Sequence, residues 1–187
     1  MAEINLYLDL IDLSEIKDFC LEHGEERGCA RGDLFLSEDE VSVEFGYVDC
    51  GYFKYVVQTS DGVEKVVGFS FAGDFIGDIN HSLMRIPSGV SIVAGCDARM
   101  HVVPMAAFLD FAAGKGLRFC MSIEVCLFHT FYTRYIDLHR LSPKERYLKI
   151  LREYPALLQR IPLCEIASYI GVTPVHLSRI RRQLHMR

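Results

Sequence analysis

From Cys29 to about Val103 the chain never holds one apolar pattern for long: short apolar or alternating runs give way every few residues to turn residues. The runs are Leu34-Phe35-Leu36, Val41 to Val48, Tyr52 to Gln58, Val63 to Phe71, Val90 to Ala94 and Met100 to Val103. Between them stand Arg31-Gly32-Asp33, Asp49-Cys50-Gly51, Ser60-Asp61-Gly62, Ala72-Gly73-Asp74 and Gly95-Cys96-Asp97. Such runs are too short for core-forming helices, and their spacing predicts an antiparallel sandwich or barrel of six or more strands. Asp61-Gly62, between Val56-Val57 and Val66-Val67, marks a hairpin, because its tight turn needs the positive φ that glycine adopts without strain.

Around this β unit the period changes. Ser14 is placed to cap a short helix carrying Ile16, Phe19 and Cys20 on one side. Pro104 opens a second helical region, and beyond Gly114 and Gly116 one long helix is predicted over Leu117 to Leu141. Met121, Val125, Phe128, Tyr132 and Tyr135 recur along it in steps of four and three, the spacing of a heptad seam. Phe119, Ile123, Cys126, Leu127 and Phe131 make other faces apolar as well. A helix apolar on more than one side needs two covering surfaces. The β unit supplies one, and the same helix of a second copy would supply the other; an ordinary buried helix is the alternative.

Charge divides the chain at the end of this helix. Residues 1–133 hold 9 basic and 21 acidic side chains, whereas residues 134–187 hold 11 basic and 4 acidic. An acidic body joined to a basic tail suggests that the tail meets a polyanion. Other classes lack their signatures. The N-terminus has no basic region, and Asp9 and Asp12 interrupt its apolar stretch, so a secretory signal is not expected. Charge-free runs reach only about ten residues where a bilayer span needs about twenty, so no membrane is expected and the compartment is read as cytoplasmic. The seven cysteines are odd in number with no C-x-x-C pair, and most are expected as small buried apolar residues, with no metal site. No H-E-x-x-H, G-x-S-x-G, Walker A or dinucleotide glycine motif occurs, so no catalytic residue is assigned and an enzyme is not expected. His129 and His139 on the long helix read as packing or seam residues.

The basic segment carries the most specific pattern. Ser142-Pro143-Lys144-Glu145 is a capping box with proline at the first helical position. The helix after it has Tyr147, Leu148, Leu151 and Tyr154 as its inner stripe and stops at Pro155. From Ile161 to Leu184 two short helices are predicted around Gly171. Ile166, Ala167 and Ile170 face inward in the first, Val172 plugs the turn, Thr173 caps the second, and Pro174 begins it. This is helix-turn-helix grammar, in which the second helix enters the DNA major groove. At 100° per residue Leu177, Ile180 and Leu184 fall within about 60° of one another. Val175, Ser178, Arg179 and Arg182 stand opposite, with His176 and Gln183 on a flank. Arginine can grip a guanine edge and an aliphatic can meet a thymine methyl. A helical hairpin with a solvated arginine face is the bland alternative.

With these residues in view, the chain resembles the Crp/Fnr superfamily of bacterial transcription regulators over essentially its whole length. The resemblance is carried by Leu141-Ser142-Pro143-Lys144-Glu145-Arg146-Tyr147, by Ile166-Ala167-Ser168-Tyr169-Ile170-Gly171-Val172-Thr173-Pro174 and by Leu177-Ser178-Arg179-Ile180-Arg181-Arg182. Asp61-Gly62 and Phe75-Ile76-Gly77-Asp78 add weaker matches in the expected order. It implies an α+β fold: an N-terminal antiparallel β-roll of the cyclic-nucleotide-binding kind (1–116), a dimerisation helix (117–141) and a C-terminal, winged-helix-like helix-turn-helix domain (142–187). The sequence stops three residues after Leu184, so any wing strand is expected to be minimal.

The resemblance implies a homodimer, paired through Met121, Val125, Phe128, Tyr132 and Tyr135, on a palindromic double-stranded operator, with RNA polymerase left open as a further partner. Thr173, Val175, His176, Ser178, Arg179, Arg181 and Arg182 would meet DNA, and Arg179 aligns with an arginine that contacts guanine in similar family members. An effector of unknown identity would sit by Phe69, Phe75, Gly77, Asp78 and Ser88. Cyclic AMP is not expected. Nucleotide-binding members place a phosphate-pairing arginine about ten residues after a Gly-Glu pair. Here Asp78 replaces the glutamate, Pro87-Ser88-Gly89 stands at the arginine position, and Arg85 is two or three residues out of place. A buried phosphate without a charge partner is costly. No cofactor is expected, and the cysteine cluster of iron–sulfur members is missing. A small-molecule or haem sensor of the same fold with weak or lost DNA binding is the alternative reading.

Overall fold

The computed structural model describes residues 13–153 and 160–185, and there the chain is α+β. Helix α1 (Ser14–His23) leads into β1 (Glu25–Cys29), β2 (Leu34–Leu36), β3 (Glu44–Cys50), β4 (Tyr52–Gln58), β5 (Glu64–Phe71) and β6 (Phe75–Ile76). A short helix α2 (Ile79–Met84) precedes β7 (Ser91–Ala94) and β8 (Ala98–Pro104). Then come α3 (Met105–Lys115), α4 (Leu117–Arg140), α5 (Pro143–Glu153), α6 (Leu163–Tyr169) and α7 (Pro174–His185). The strands form two four-stranded antiparallel sheets, ordered β1-β8-β3-β6 and β2-β7-β4-β5. The expected antiparallel roll is present, and Asp61-Gly62 turns the β4–β5 hairpin, with Gln58 paired to Glu64 and Gly62 at φ 75°.

Each sheet is buried on both faces, and strand alternation assigns the residues. In the first sheet Val48, Ile76, Met100 and Val102 point into the roll, while Phe45, Tyr47 and Val103 point outward. Those outward residues meet Ile16 and Cys20 of α1 and Met105 and Phe108 of α3, with Phe45 and Phe108 stacked at 3.8 Å. In the second sheet Phe53, Ile92 and Ala94 fill the roll. Its outer face, Tyr52, Val56, Val66, Phe69 and Phe71, belongs to a different cluster shared with α5, α6 and α7. A β-bulge makes that face: Val56 pairs with Val66 but Tyr55 with Gly68, so Val67 is an extra residue and the alternation of β5 reverses there. Val66, Phe69 and Phe71 can then share one side.

Several local expectations are corrected. α1 begins at Ser14 itself, with Leu13 at the cap position and no side-chain cap, so Ser14 is not the N-cap. The strand expected from Val41 starts at Glu44, and Val41 and Val43 are exposed. β1, β6 and α2 were not legible: β1 reads Glu-Glu-Arg-Gly-Cys and pairs only at a sheet edge, where polar side chains are tolerated. Of the cysteines only Cys20 and Cys126 are buried; Cys50 and Cys164 are exposed because they fall at a strand end and in the first turn of α6. The inner stripe of α5 is Tyr147 and Ile150, with Leu148 and Leu151 half-buried, while Tyr154 and Pro155 lie outside the described residues. Among the described residues both sheets belong to the roll and no strand accompanies α5, α6 and α7, in line with the minimal wing expected. Among those residues no helix is long and apolar enough to cross a membrane.

Gly171 connects α6 to α7 at φ 76°, and a Cβ there would meet nothing closer than 3.8 Å. The cost of Gly171→Ala is therefore conformational, about 1–2 kcal/mol. Gly28 in β1 has no positive φ and open space around it, so Gly28→Ala should be neutral or stabilising by up to about 1 kcal/mol. Urea unfolding of both variants checks this; equal effects would show that the turn does not depend on its glycine.

Candidate nucleic-acid interface and ligand cavity

The turn into α7 is built from backbone first. The amide of Val172 donates to the carbonyl of Ala167 at 2.9 Å, and the amide of His176 donates to Thr173 Oγ1 at 3.2 Å, so Thr173 is the N-cap. Leu177 and Ile180 are buried and Leu184 packs against the same cluster. With that side anchored, Thr173, Val175, His176, Ser178, Arg179, Arg181 and Arg182 are all exposed. Among the described residues none of the three arginines meets a carboxylate. A short, rigid helix thus presents unneutralised guanidinium groups to solvent, as an anion-binding face requires.

Two devices fix where that helix sits. The capping box forms: the amide and Oγ of Ser142 donate to Glu145 Oε2 at 2.8 and 2.7 Å, and the amide of Glu145 donates to Ser142 Oγ at 3.3 Å. These bonds hold the Glu145 carboxyl below the usual glutamate range. One turn on, Arg146 donates from Nε to the Ile170 carbonyl at 2.9 Å and from Nη1 to the carbonyls of Leu138 and Leu141 at 3.1 and 2.7 Å. It staples the end of α4 to the turn of the helix pair, a role no spacing rule assigned to it.

The second device joins the helix pair to the roll. Glu165, buried at 9% exposure, accepts from the Tyr52 hydroxyl at 3.0 Å and lies 3.6 Å from Lys54 Nζ. Burial and the neighbouring carboxylate push the Tyr52 phenol well above its ordinary range, so it stays protonated and donates. Ser168 Oγ accepts the Val66 amide at 2.8 Å, covering a group that β5 would otherwise leave bare at its sheet edge.

On α4 the expected seam residues Met121, Val125, Phe128, Tyr132 and Tyr135 share an exposed stripe, each more than half exposed. Leu117 and Phe131 are exposed too and were not assigned to the seam. Phe128 and Tyr132 stack at 5.4 Å, and His139 meets the Tyr135 ring at 4.7 Å. Phe119, Ile123 and Cys126 face the body instead.

Between the roll, α4 and the helix pair lies a cavity of about 400 Å³. Phe69, Phe75, Gly77 and Asp78 of the expected effector set line it; Ser88 does not. Ser88 is buried, with Oγ 2.7 Å from Asp78 Oδ2 and 2.9 Å from the Val90 carbonyl, so its hydroxyl is spent on the protein. Asp78 also accepts the His81 amide at 3.2 Å, capping α2, and its Oδ1 lies 2.9 Å from His81 Nδ1. Burial raises the Tyr55 phenol at the cavity wall to about 12. Arg85 is exposed at the left-handed C-cap of α2 and does not line the cavity. Among the described residues no group of three or more His, Cys, Asp or Glu side chains could hold a metal.

No family model and no curated protein matches the chain at a significant level. Solved structures do match it. FixK2 from Bradyrhizobium japonicum superposes with a TM-score of 0.73 at 20% identity, over 87% of this chain and 85% of that one. The c-di-GMP-responsive global regulator CLP of Xanthomonas campestris gives 0.70 at 16% identity, over 94% and 92%. The catabolite activator protein of Thermus thermophilus gives 0.55 at 18%, over 92% and 83%. The chain therefore has the fold of the Crp/Fnr regulators, a cyclic-nucleotide-binding-type roll with a C-terminal helix-turn-helix.

The Tyr52–Glu165 bond is the polar centre of the joint. Tyr52→Phe leaves the carboxylate buried with one partner fewer and should cost about 1.5–3 kcal/mol, as hydrogen bonds to charged groups do. Guanidinium unfolding checks this; an unchanged midpoint would show that the Tyr52–Glu165 bond adds nothing to the stability of the joint.

Proposed function

We propose that the chain is a DNA-binding transcription regulator of the Crp/Fnr type acting in the cytoplasm: residues 1–116 sense, 117–141 pair two copies and 142–187 read DNA. The observation that carries this reading is the exposed, carboxylate-free arginine face of α7 on an anchored helix behind a glycine turn. The fold supports it, as does the concentration of positive charge beyond residue 133. The bare stripe of α4 supports pairing: a two-fold axis along it would cover Met121, Val125, Phe128, Tyr132 and Tyr135 and set two recognition helices about one DNA turn, roughly 34 Å, apart. Phe128→Glu should then shift the chain to monomer in sedimentation at micromolar concentration and weaken operator binding; a wild-type chain that is monomeric there contradicts the pairing.

Arg179 is the residue we assign to a base. A bidentate arginine–guanine pair discriminates by about 1–3 kcal/mol, whereas a phosphate contact gives affinity without sequence information. Arg179→Ala should lose that much on a preferred duplex and little on random duplex at the same salt, while Arg181→Ala weakens both about equally. Equal loss on both duplexes for Arg179→Ala would make it a phosphate contact.

Cyclic AMP is not the effector in this reading. Asp78 is already satisfied by His81 and Ser88, no arginine from the 85–89 segment reaches the cavity, and a carboxylate beside a phosphate repels it. Calorimetry should show no binding at micromolar cyclic AMP; a micromolar affinity overturns this part.

A further inference from the structure

The cavity does not end inside the roll. Its far wall is Arg134 and Asp137 of α4, Arg146 and Lys149 of α5, and Tyr169 and Ile170 at the end of α6. Lys149 pairs with Asp137. Arg134 lies over the Tyr169 ring at 3.9 Å and, among the described residues, donates only to its carbonyl, at 3.3 Å. Among the described residues Arg146 donates only to carbonyls. These acceptors are neutral, so three cations and one carboxylate leave that end positive, with guanidinium donors to spare. The middle is aromatic and aliphatic, with Phe45, Phe69, Phe75, Ile123 and Leu127 on its walls. The opposite end carries the Asp78 carboxylate, which disfavours a second negative charge there.

We propose that this cavity binds an amphipathic monoanion, its apolar body against the phenylalanines and its carboxylate at Arg134, Arg146 and Lys149. The site's volume lies in the range of about 300–1,000 Å³ typical of small-molecule pockets. Apolar walls strengthen the head-group pairing, because water competes less there. The head would touch the side chains that hold the end of α4 and the turn of the helix pair. Binding would then bear on the placement of α7, which rests on the reading of the chain as a regulator.

Calorimetry on the full chain with decanoate and 2-naphthoate, against decanol and 2-naphthalenemethanol, tests the assignment, with operator anisotropy read on the same samples. Both acids should bind at least tenfold tighter than their alcohols. Arg134→Gln should cost the acids tenfold or more and leave the alcohols unchanged, and Arg134→Lys should restore part of the loss. Acids binding no tighter than alcohols, or neither acid binding at millimolar concentration, overturns the assignment without needing any variant. Unaltered acid binding by a folded Arg134→Gln overturns it as well. DNA preference without acid binding condemns the cavity assignment alone. Acid binding without any DNA preference condemns the regulator reading and leaves the site standing.

Discussion

The outer face of the second sheet is the surface on which the rest of the molecule depends. Tyr52, Val56, Val66, Phe69 and Phe71 have no roll interior to face, and the apolar faces of α5, α6 and α7 cover them. Packed together they form one cluster that includes the anchors of α7, Leu177 and Ile180. The position of α7 is therefore set by strands more than a hundred residues earlier in the chain, as the separation of 113 between Tyr52 and Glu165 shows. At about 25 cal/mol per Å² of apolar surface, this burial outweighs any single polar contact at the joint. The polar contacts choose the geometry: Glu165 admits Tyr52 and Lys54 in one arrangement, and Ser168 meets Val66 in register.

The hinge side is held differently. Arg146 gathers carbonyls from the last turn of α4 and from the end of α6, and Arg134 of α4 reaches the ring and carbonyl of Tyr169, so guanidinium groups tie the long helix to the helix pair. Carbonyls at a helix end have no intrahelical partner, and a cation there also meets the negative end of the helix dipole. An apolar joint on one side and a cationic staple on the other leave a cavity between them. An occupant of that cavity would press on both.

Much of this was legible in the sequence because it is local. The capping box at Ser142, the turn at Gly171, the cap at Thr173 and the anchors of α7 each follow from residues within a few positions of one another. The hairpin at Asp61-Gly62 and the bare stripe of α4 do as well. What escaped is non-local. The bulge at Val67 has no sequence mark, yet it decides which way Phe69 points. Ser88 was placed in the effector site from its position in a family pattern, and its hydroxyl is turned onto Asp78 instead. Arg146 sits inside the most recognisable motif of the chain, but its partners are carbonyls, which no side-chain pattern reveals. The strand β1 was hidden because edge pairing asks little of its side chains, and the cysteines were misjudged because two of them fall at a strand end and in the first turn of a helix.

If the arginine face of α7 reads sequence, a pair of such faces reads it twice. Selection of bound duplexes from a randomised pool by the purified chain, followed by sequencing, tests both together. The expected result is enrichment of a two-fold symmetric site whose half-site centres lie about one helical turn apart, with a guanine strongly preferred at one position in each half. Recovery of duplexes with no enriched sequence, at a salt concentration where binding is measurable, would contradict it.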